Sequence, residues 1–288
     1  MKVLTLAILF TALCPLLLSG QTDNEKLLIR HYRDGQRLSY HMEATNKNRT
    51  KAETYEADVI GIVKKNSGGR FYEEYQWTNL VLNGQKITLP AGSENYREEL
   101  SLDPNFKLSS PKIDPMLVGP ILDLFTFYAD LRLATQNGNL THPGDHFYFK
   151  YGKPASWANG IVILGEDSVD FDATLKAVDS IHQIATIIVR HIPPKKPEIK
   201  IPTDWMKQPV ANTANNWVEV RKVGDKYIAA IGKETFDCEI KISLVDGRIL
   251  SATMDNPVEV MERECMDKTL VDCGSTVRYE IRRQIYIY

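Results

Sequence analysis

From Arg37 to the C-terminus, apolar and polar side chains alternate with a period of two, the mark of strands that bury one face. Leu38, Tyr40, Met42 and Ala44 interleave with Arg37, Ser39, His41 and Glu43, and Tyr55, Ala57, Val59 and Val63 repeat the pattern after a polar turn from Asn46 to Lys51. Asn66-Ser67-Gly68-Gly69 turns the chain into a strand from Phe71 to Leu82. Asn83-Gly84 follows. Both central positions of a type I′ turn need positive φ, so this dipeptide predicts a tight hairpin with a return strand from Gln85 to Leu89. Tyr96 to Leu102 adds another candidate strand.

One segment breaks the period. Asp114-Pro115 and Gly119-Pro120 offer helix starts, and Leu117, Ile121, Leu124, Phe125, Tyr128 and Leu131 recur at helical spacing until Asn137-Gly138. The pattern predicts one amphipathic helix over about 115–137, covering a sheet with its apolar face. Strands then resume at His146 to Tyr151, Gly160 to Gly165, Val169 to Val178 and Gln183 to Ile192, the last apolar on both faces and therefore central. Pro193, Pro194, Pro197, Pro202 and Pro209 predict extended chain outside the ladder over 193–216. Beyond it the pattern reads as an antiparallel meander: Trp217 to Lys222, Tyr227 to Gly232, Phe236 to Leu244, Ile249 to Asn256, Val258 to Glu264 and Val277 to Ile287.

The fold class that follows is mainly β with some α: a curved antiparallel sheet or half-barrel meander with one principal helix. The expected organisation is a signal peptide at 1–20, a β-rich region with the helix at 21–192, a proline-rich connection at 193–216 and a C-terminal meander at 217–288, either separate or continuous with the first region. The signal peptide is read from Lys2, the apolar run Val3 to Leu18 and the small-residue exit Ser19-Gly20. The run is short for a membrane span, and no later segment is apolar enough to form one. A spanning barrel is disfavoured because Gln284, Arg282 and Glu280 share a face with the terminal Tyr286 and Tyr288.

A formal net charge of −2 argues against nucleic-acid binding, which needs a positive excess to neutralise phosphates. Of four cysteines, Cys14 leaves with the signal. Cys265 and Cys273 flank a polar loop and are expected to form a disulfide in an oxidising compartment, while Cys238 lies on the apolar side of its strand and reads as a buried thiol.

Catalytic signatures are missing. His142-Pro143-Gly144-Asp145-His146 is a turn, not a helical metal pair; Glu166 to Asp172 lacks the glycine and terminal glutamate of a calcium loop; no nucleophile elbow occurs. Nothing in the chain asks for a cofactor. The anomalies are two charges on apolar strand faces. Arg283 shares a side with Val277, Tyr279, Ile281, Ile285 and Ile287, and Glu73 shares one with Phe71, Tyr75 and Trp77. A buried guanidinium must be paired or face a wet cavity, which makes Arg283 and Glu73 either an internal ion pair or polar handles for a ligand.

These features point to an exported protein, periplasmic or extracellular, that binds or carries an apolar small molecule or lipid without catalysis, or maintains the envelope. In outline this is similar to the half-barrels of lipoprotein carriers, a likeness of architecture alone. An extracellular hydrolase with a dispersed carboxylate and histidine site is the alternative from another class, and a structural interaction module with an unnamed protein partner is a third. Two sequons, Asn48-Arg49-Thr50 and Asn139-Leu140-Thr141, matter only in a eukaryotic secretory pathway. Sequencing the N-terminus of the exported protein should find a chain starting close to Gln21; a retained Met1 or a lipidated Cys14 contradicts the signal reading.

Overall fold

The computed structural model describes residues 31–98, 116–124, 127, 140–151, 161–162, 169–192, 203–210, 215 and 217–288. The signal segment, Cys14 and Asn139 lie outside them. Fourteen strands join in one sheet: β1 (Arg37–Lys47), β2 (Ala52–Lys65), β3 (Phe71–Leu82), β4 (Gln85–Lys86), β5 (Tyr96–Glu98), β6 (His146–Tyr151), β7 (Ile161–Val162), β8 (Val169–Asp179), β9 (Ile184–Ile192), β10 (Trp217–Val223), β11 (Lys226–Glu234), β12 (Asp237–Ser243), β13 (Ile249–Cys265) and β14 (Val277–Ile287). The hairpin predicted at Asn83-Gly84 is present, with φ of 50° and 76° at its two central residues. Its return strand stops at Lys86, three residues short of the expected end.

The main path runs β4-β3-β2-β1-β14-β13-β12-β9-β8-β6, antiparallel throughout, and stays open rather than closing into a barrel. Its register builds the core in rows. Leu80, Ala57, Met42, Ile287, Ala252, Ile240, Ile187 and Leu175 are successive cross-strand partners on one face of eight strands. Each is at most 1% exposed. Cross-strand neighbours this close are the unit of sheet stabilisation, and one missed register step would turn the whole row to solvent. Single-residue bulges at Thr78 in β3, Lys176 in β8 and Leu250 in β13 shift parity without losing the face.

Two findings depart from the sequence pattern. The break expected at Pro257 is absent, because β13 continues through it for 17 residues. A residue's N–H and C=O in a strand point to the same neighbour, and the Pro257 carbonyl accepts from the Thr235 amide at 3.1 Å. The missing N–H therefore points to the gap between β11 and β12, where it interrupts no ladder. The C-terminal strands are also not a simple meander. Consecutive strands β11 and β12 lie end to end along the same edge of β13, β12 against Ile249 to Asp255 and β11 against Val258 to Cys265. The sheet branches there, with β10 and β7 continuing from β11.

Both faces carry a core past this branch, since Val258, Val260 and Ala230 stay buried on the first face with Tyr279 and Ile281 packed against them. On the β12 side the buried residues of β13 are Ile249, Ala252 and Met254, which join the main cluster under the helix. On the β11 side Met261 and Cys265 project to the opposite face and pack with Trp205, Met206, Val218, Ile231 and Leu270. The short 3₁₀ turn Asp204–Lys207 falls within the segment expected to be extended and supplies that second core. The Trp205 indole donates to the Leu270 carbonyl at 3.1 Å, which ties the turn to the Cys265–Cys273 disulfide loop. Cys238 is buried as a thiol in the main cluster.

Strands β12, β13 and β14 fill the space between β1 and β9, so the last part of the chain sits inside the sheet formed by the first. A chain ending after Ile192 would leave the β1 and β9 edges unpaired. Circular dichroism and urea unfolding of such a fragment should show aggregation or no cooperative transition; a cooperative monomer would establish 21–192 as an independent domain.

Candidate functional site

The helix forms over 118–124 and at residue 127 as far as the chain is described. Leu117, Ile121 and Leu124 are buried at 1–2% exposure, as the helical spacing predicts, and Phe127 is buried with them, while Phe125, Tyr128 and Leu131 lie outside the described residues. Burying one such side chain is worth roughly 1.5–3 kcal/mol. Asp123 is buried with them at 4% exposure. It lies at the border of the apolar arc, four residues before Phe127 and three after Pro120, and spacing alone marks it as a flank position.

Its partner is Arg283. Nη2 of Arg283 donates to both carboxylate oxygens of Asp123, at 2.7 and 2.6 Å. The Tyr55 hydroxyl, from the core face of β2, donates to the same carboxylate at 2.5 Å. Arg283 is therefore interior, as its strand parity predicts, but the carboxylate beside it is Asp123 and not Glu73. The correction has a physical reason. Glu73 lies on β3, three strands from β14, whereas Asp123 of the helix reaches both Arg283 on β14 and Tyr55 on β2. Burial pushes the Asp123 carboxyl above its ordinary range, against the lowering effect of the guanidinium and the Tyr55 hydroxyl. Burial and the neighbouring acid raise the Tyr55 hydroxyl.

Arg283 interrupts the apolar rows, which resume beyond it with Ile281 beside Val258 and Tyr279 beside Val260. Its cross-strand partners are Asn46 on β1 and Asn256 on β13, so three polar side chains stand abreast on the helix-covered face. The Asn256 amide donates to Glu234 at 3.0 Å and to the Thr235 carbonyl at 2.9 Å, which holds the branch point. Beyond it the row continues through Phe236, His191 and Phe171, where His191 stacks on Phe236 with ring centroids 5.7 Å apart.

Glu73 is fully buried on the face it shares with Tyr75 and Trp77. The Tyr75 hydroxyl donates to Glu73 Oε2 at 3.0 Å. Its carboxylate leans over Gly61, where a Cβ would overlap Oε1 and force the Glu73 side chain to move. The sheet thus carries Arg283 and Glu73 at two separate places, each on an apolar face.

Other candidates stay dispersed. His142 turns toward Thr141 and Asp145, while His146 bonds Asp172 and Thr174, so the two imidazoles do not converge. On the outer face His41 contacts Asp58 at 2.5 Å and Glu43 at 3.4 Å, and these acids raise its pKa. Asn48 of the first sequon caps the β1–β2 turn through bonds from Thr50 and Lys51. Among the described residues no group of three potential ligands could hold a metal ion, and no helix is long and apolar enough to cross a membrane.

The fold defines a mainly β protein: a large open antiparallel sheet with one helix laid on it. No protein-family model matches the chain, and no curated protein matches it. Among solved structures it is similar to a crystal structure of MucB in complex with MucA(peri), at 10% identity over 88% of this chain and 89% of that one, with a TM-score of 0.12. It is also similar to the complex of Pseudomonas aeruginosa MucA and MucB, at 9% identity over 92% and 90%, again with a TM-score of 0.12. Likenesses of that size carry no argument.

Arg283→Ala should cost about 3–5 kcal/mol at neutral pH, because it leaves Asp123 buried without its cation. Asp123 then takes up a proton on folding, so the folded state binds more protons than the unfolded and the deficit should shrink as pH falls toward the ordinary carboxylate range. Urea denaturation across that range measures it, and a pH-independent deficit contradicts an orphaned acid.

Proposed function

We propose that the chain is an exported, non-enzymatic binding protein that takes an apolar ligand onto the helix-covered face of its sheet, with the helix as a displaceable cover. The observation that carries this reading is the way the helix is held: Leu117, Ile121, Leu124 and Phe127 lie on an apolar face, and Asp123 attaches the helix to Arg283 and Tyr55. A cover that joins no sheet ladder through its described residues can leave without breaking one, and it exposes the apolar face beneath it when it does. The Cys265–Cys273 disulfide supports an oxidising compartment, in keeping with the apolar N-terminal run.

Native mass spectrometry of protein purified from its own host should show an apolar molecule bound near one per chain. An environment-sensitive apolar dye should brighten on mixing with the delipidated protein, saturate near equimolar and be displaced by a long-chain lipid. Failure of both measurements removes the carrier reading and leaves the sheet with a structural role.

A further inference from the structure

The loop that the Cys265–Cys273 disulfide closes holds one apolar side chain inside and two outside. Leu270 is buried in the second core with φ of 58°, a left-handed conformation that a bulky side chain keeps only where its packing imposes it. Met266 and Val271 are 58% and 77% exposed. Val223, at the end of β10, adds a third apolar side chain at 53%. It pairs with Lys226, and Tyr227, the next residue, pairs with Cys265, so this strand end and the disulfide loop stand side by side at one end of the sheet.

Exposed aliphatic side chains on a loop ordinarily sit over backbone groups that need water. Here the backbone is occupied from within. The Asp267 carboxylate accepts from the amides of Thr269 and Asp272 at 2.8 and 2.7 Å, and its carbonyl accepts from the Leu270 amide at 3.2 Å. The amides of Met266, Cys273 and Gly274 donate to the carbonyls of Asp272, Val271 and Glu264. Underneath, the carbonyls of Thr269 and Leu270 accept from the Thr203 hydroxyl and the Trp205 indole. A loop bonded in this way and stapled by a disulfide can meet an apolar medium with little desolvation and little ordering left to do. The same saturation leaves few amides for a protein partner to pair by strand addition. The exposed Lys222, Lys226 and Lys268 around the loop are matched by Asp225, Glu264 and Asp272, so no net field steers a charged partner to it. What is offered is aliphatic surface without directional demands, and that suits the interface of a bilayer.

We infer, independently of the carrier reading, that the disulfide loop and the adjacent end of β10 form a membrane-docking tip, with Met266 and Val271 at the hydrocarbon boundary of a lipid bilayer and Val223 beside them. The lysines around it reach back to the head groups along their aliphatic stems.

Flotation of the exported, processed protein with phosphatidylcholine vesicles, with and without phosphatidylglycerol, is the test. The protein should float with both, and concentrated salt should not release it. Met266→Asp and Val271→Asp should each weaken binding about tenfold and leave thermal unfolding unchanged, because both side chains are exposed in the folded protein. Ile181→Asp is the control: Ile181 is 86% exposed on the turn between β8 and β9, near the start of β13 and therefore at the opposite end of that strand from the loop, and its replacement should not alter flotation. Absence of flotation with either vesicle overturns the inference and leaves the carrier reading to the dye measurement. Flotation with phosphatidylglycerol vesicles alone, reversed by salt, overturns it as well, since the contact is then electrostatic adsorption. An equal loss in Ile181→Asp, or no loss in Met266→Asp and Val271→Asp, places the contact elsewhere on the molecule and rules out the tip.

Discussion

Strand β13 carries two different partners in succession along one edge, and the arrangement of the rest of the molecule follows from that. Seventeen residues span roughly 55 Å, enough for β12 to pair with the first part and β11 with the second. On its other edge β14 pairs with β13 along 11 residues and hands the sheet on to β1. Sequence-distant halves of the chain thereby share one ladder. The branch also sets where the core lies: the main cluster on the helix side, and a second cluster around Trp205 and the disulfide loop on the opposite face.

A row of side chains at such a branch cannot be packed like the rows before it. Where β12 ends and β11 begins, the ladder leaves a gap that Asn256 closes with two hydrogen bonds, and Pro257 follows with no N–H to leave unpaired. Arg283 and Asn46 extend this polar row across two more strands. Asp123 brings a compensating charge down from the helix, so the guanidinium is paired without a carboxylate in the sheet itself. The charge that breaks the apolar alternation of β14 is thus at a place on this face where the sheet is already interrupted.

Much of the strand pattern was legible because antiparallel strands with one buried face write their period directly into the chain. Leu38 to Ala44, Tyr55 to Val63 and Ile285 to Ile287 are buried on the side their alternation indicates, and Asn83-Gly84 turns as its positive φ angles require. Arg283 and Glu73 stood out as charges on apolar faces, and both are partly or wholly buried there. Asp123 did not stand out, since an acid at the border of an amphipathic helix is ordinarily solvated and only the sheet beneath shows that this one is not.

The chain by itself determined local geometry: which residues alternate, where turns fall, which segment is helical and which two cysteines are close enough in sequence to be joined. These depend on neighbours within a few positions, where φ preferences and side-chain period act directly. Only the tertiary structure decided that β14 inserts between β1 and β13, that β11 and β12 share one edge, and that Arg283 meets Asp123, 160 residues away, instead of Glu73. Strand order and long-range charge pairing are set by which faces can be buried together, and period-two alternation fixes the face of each strand without naming its neighbour.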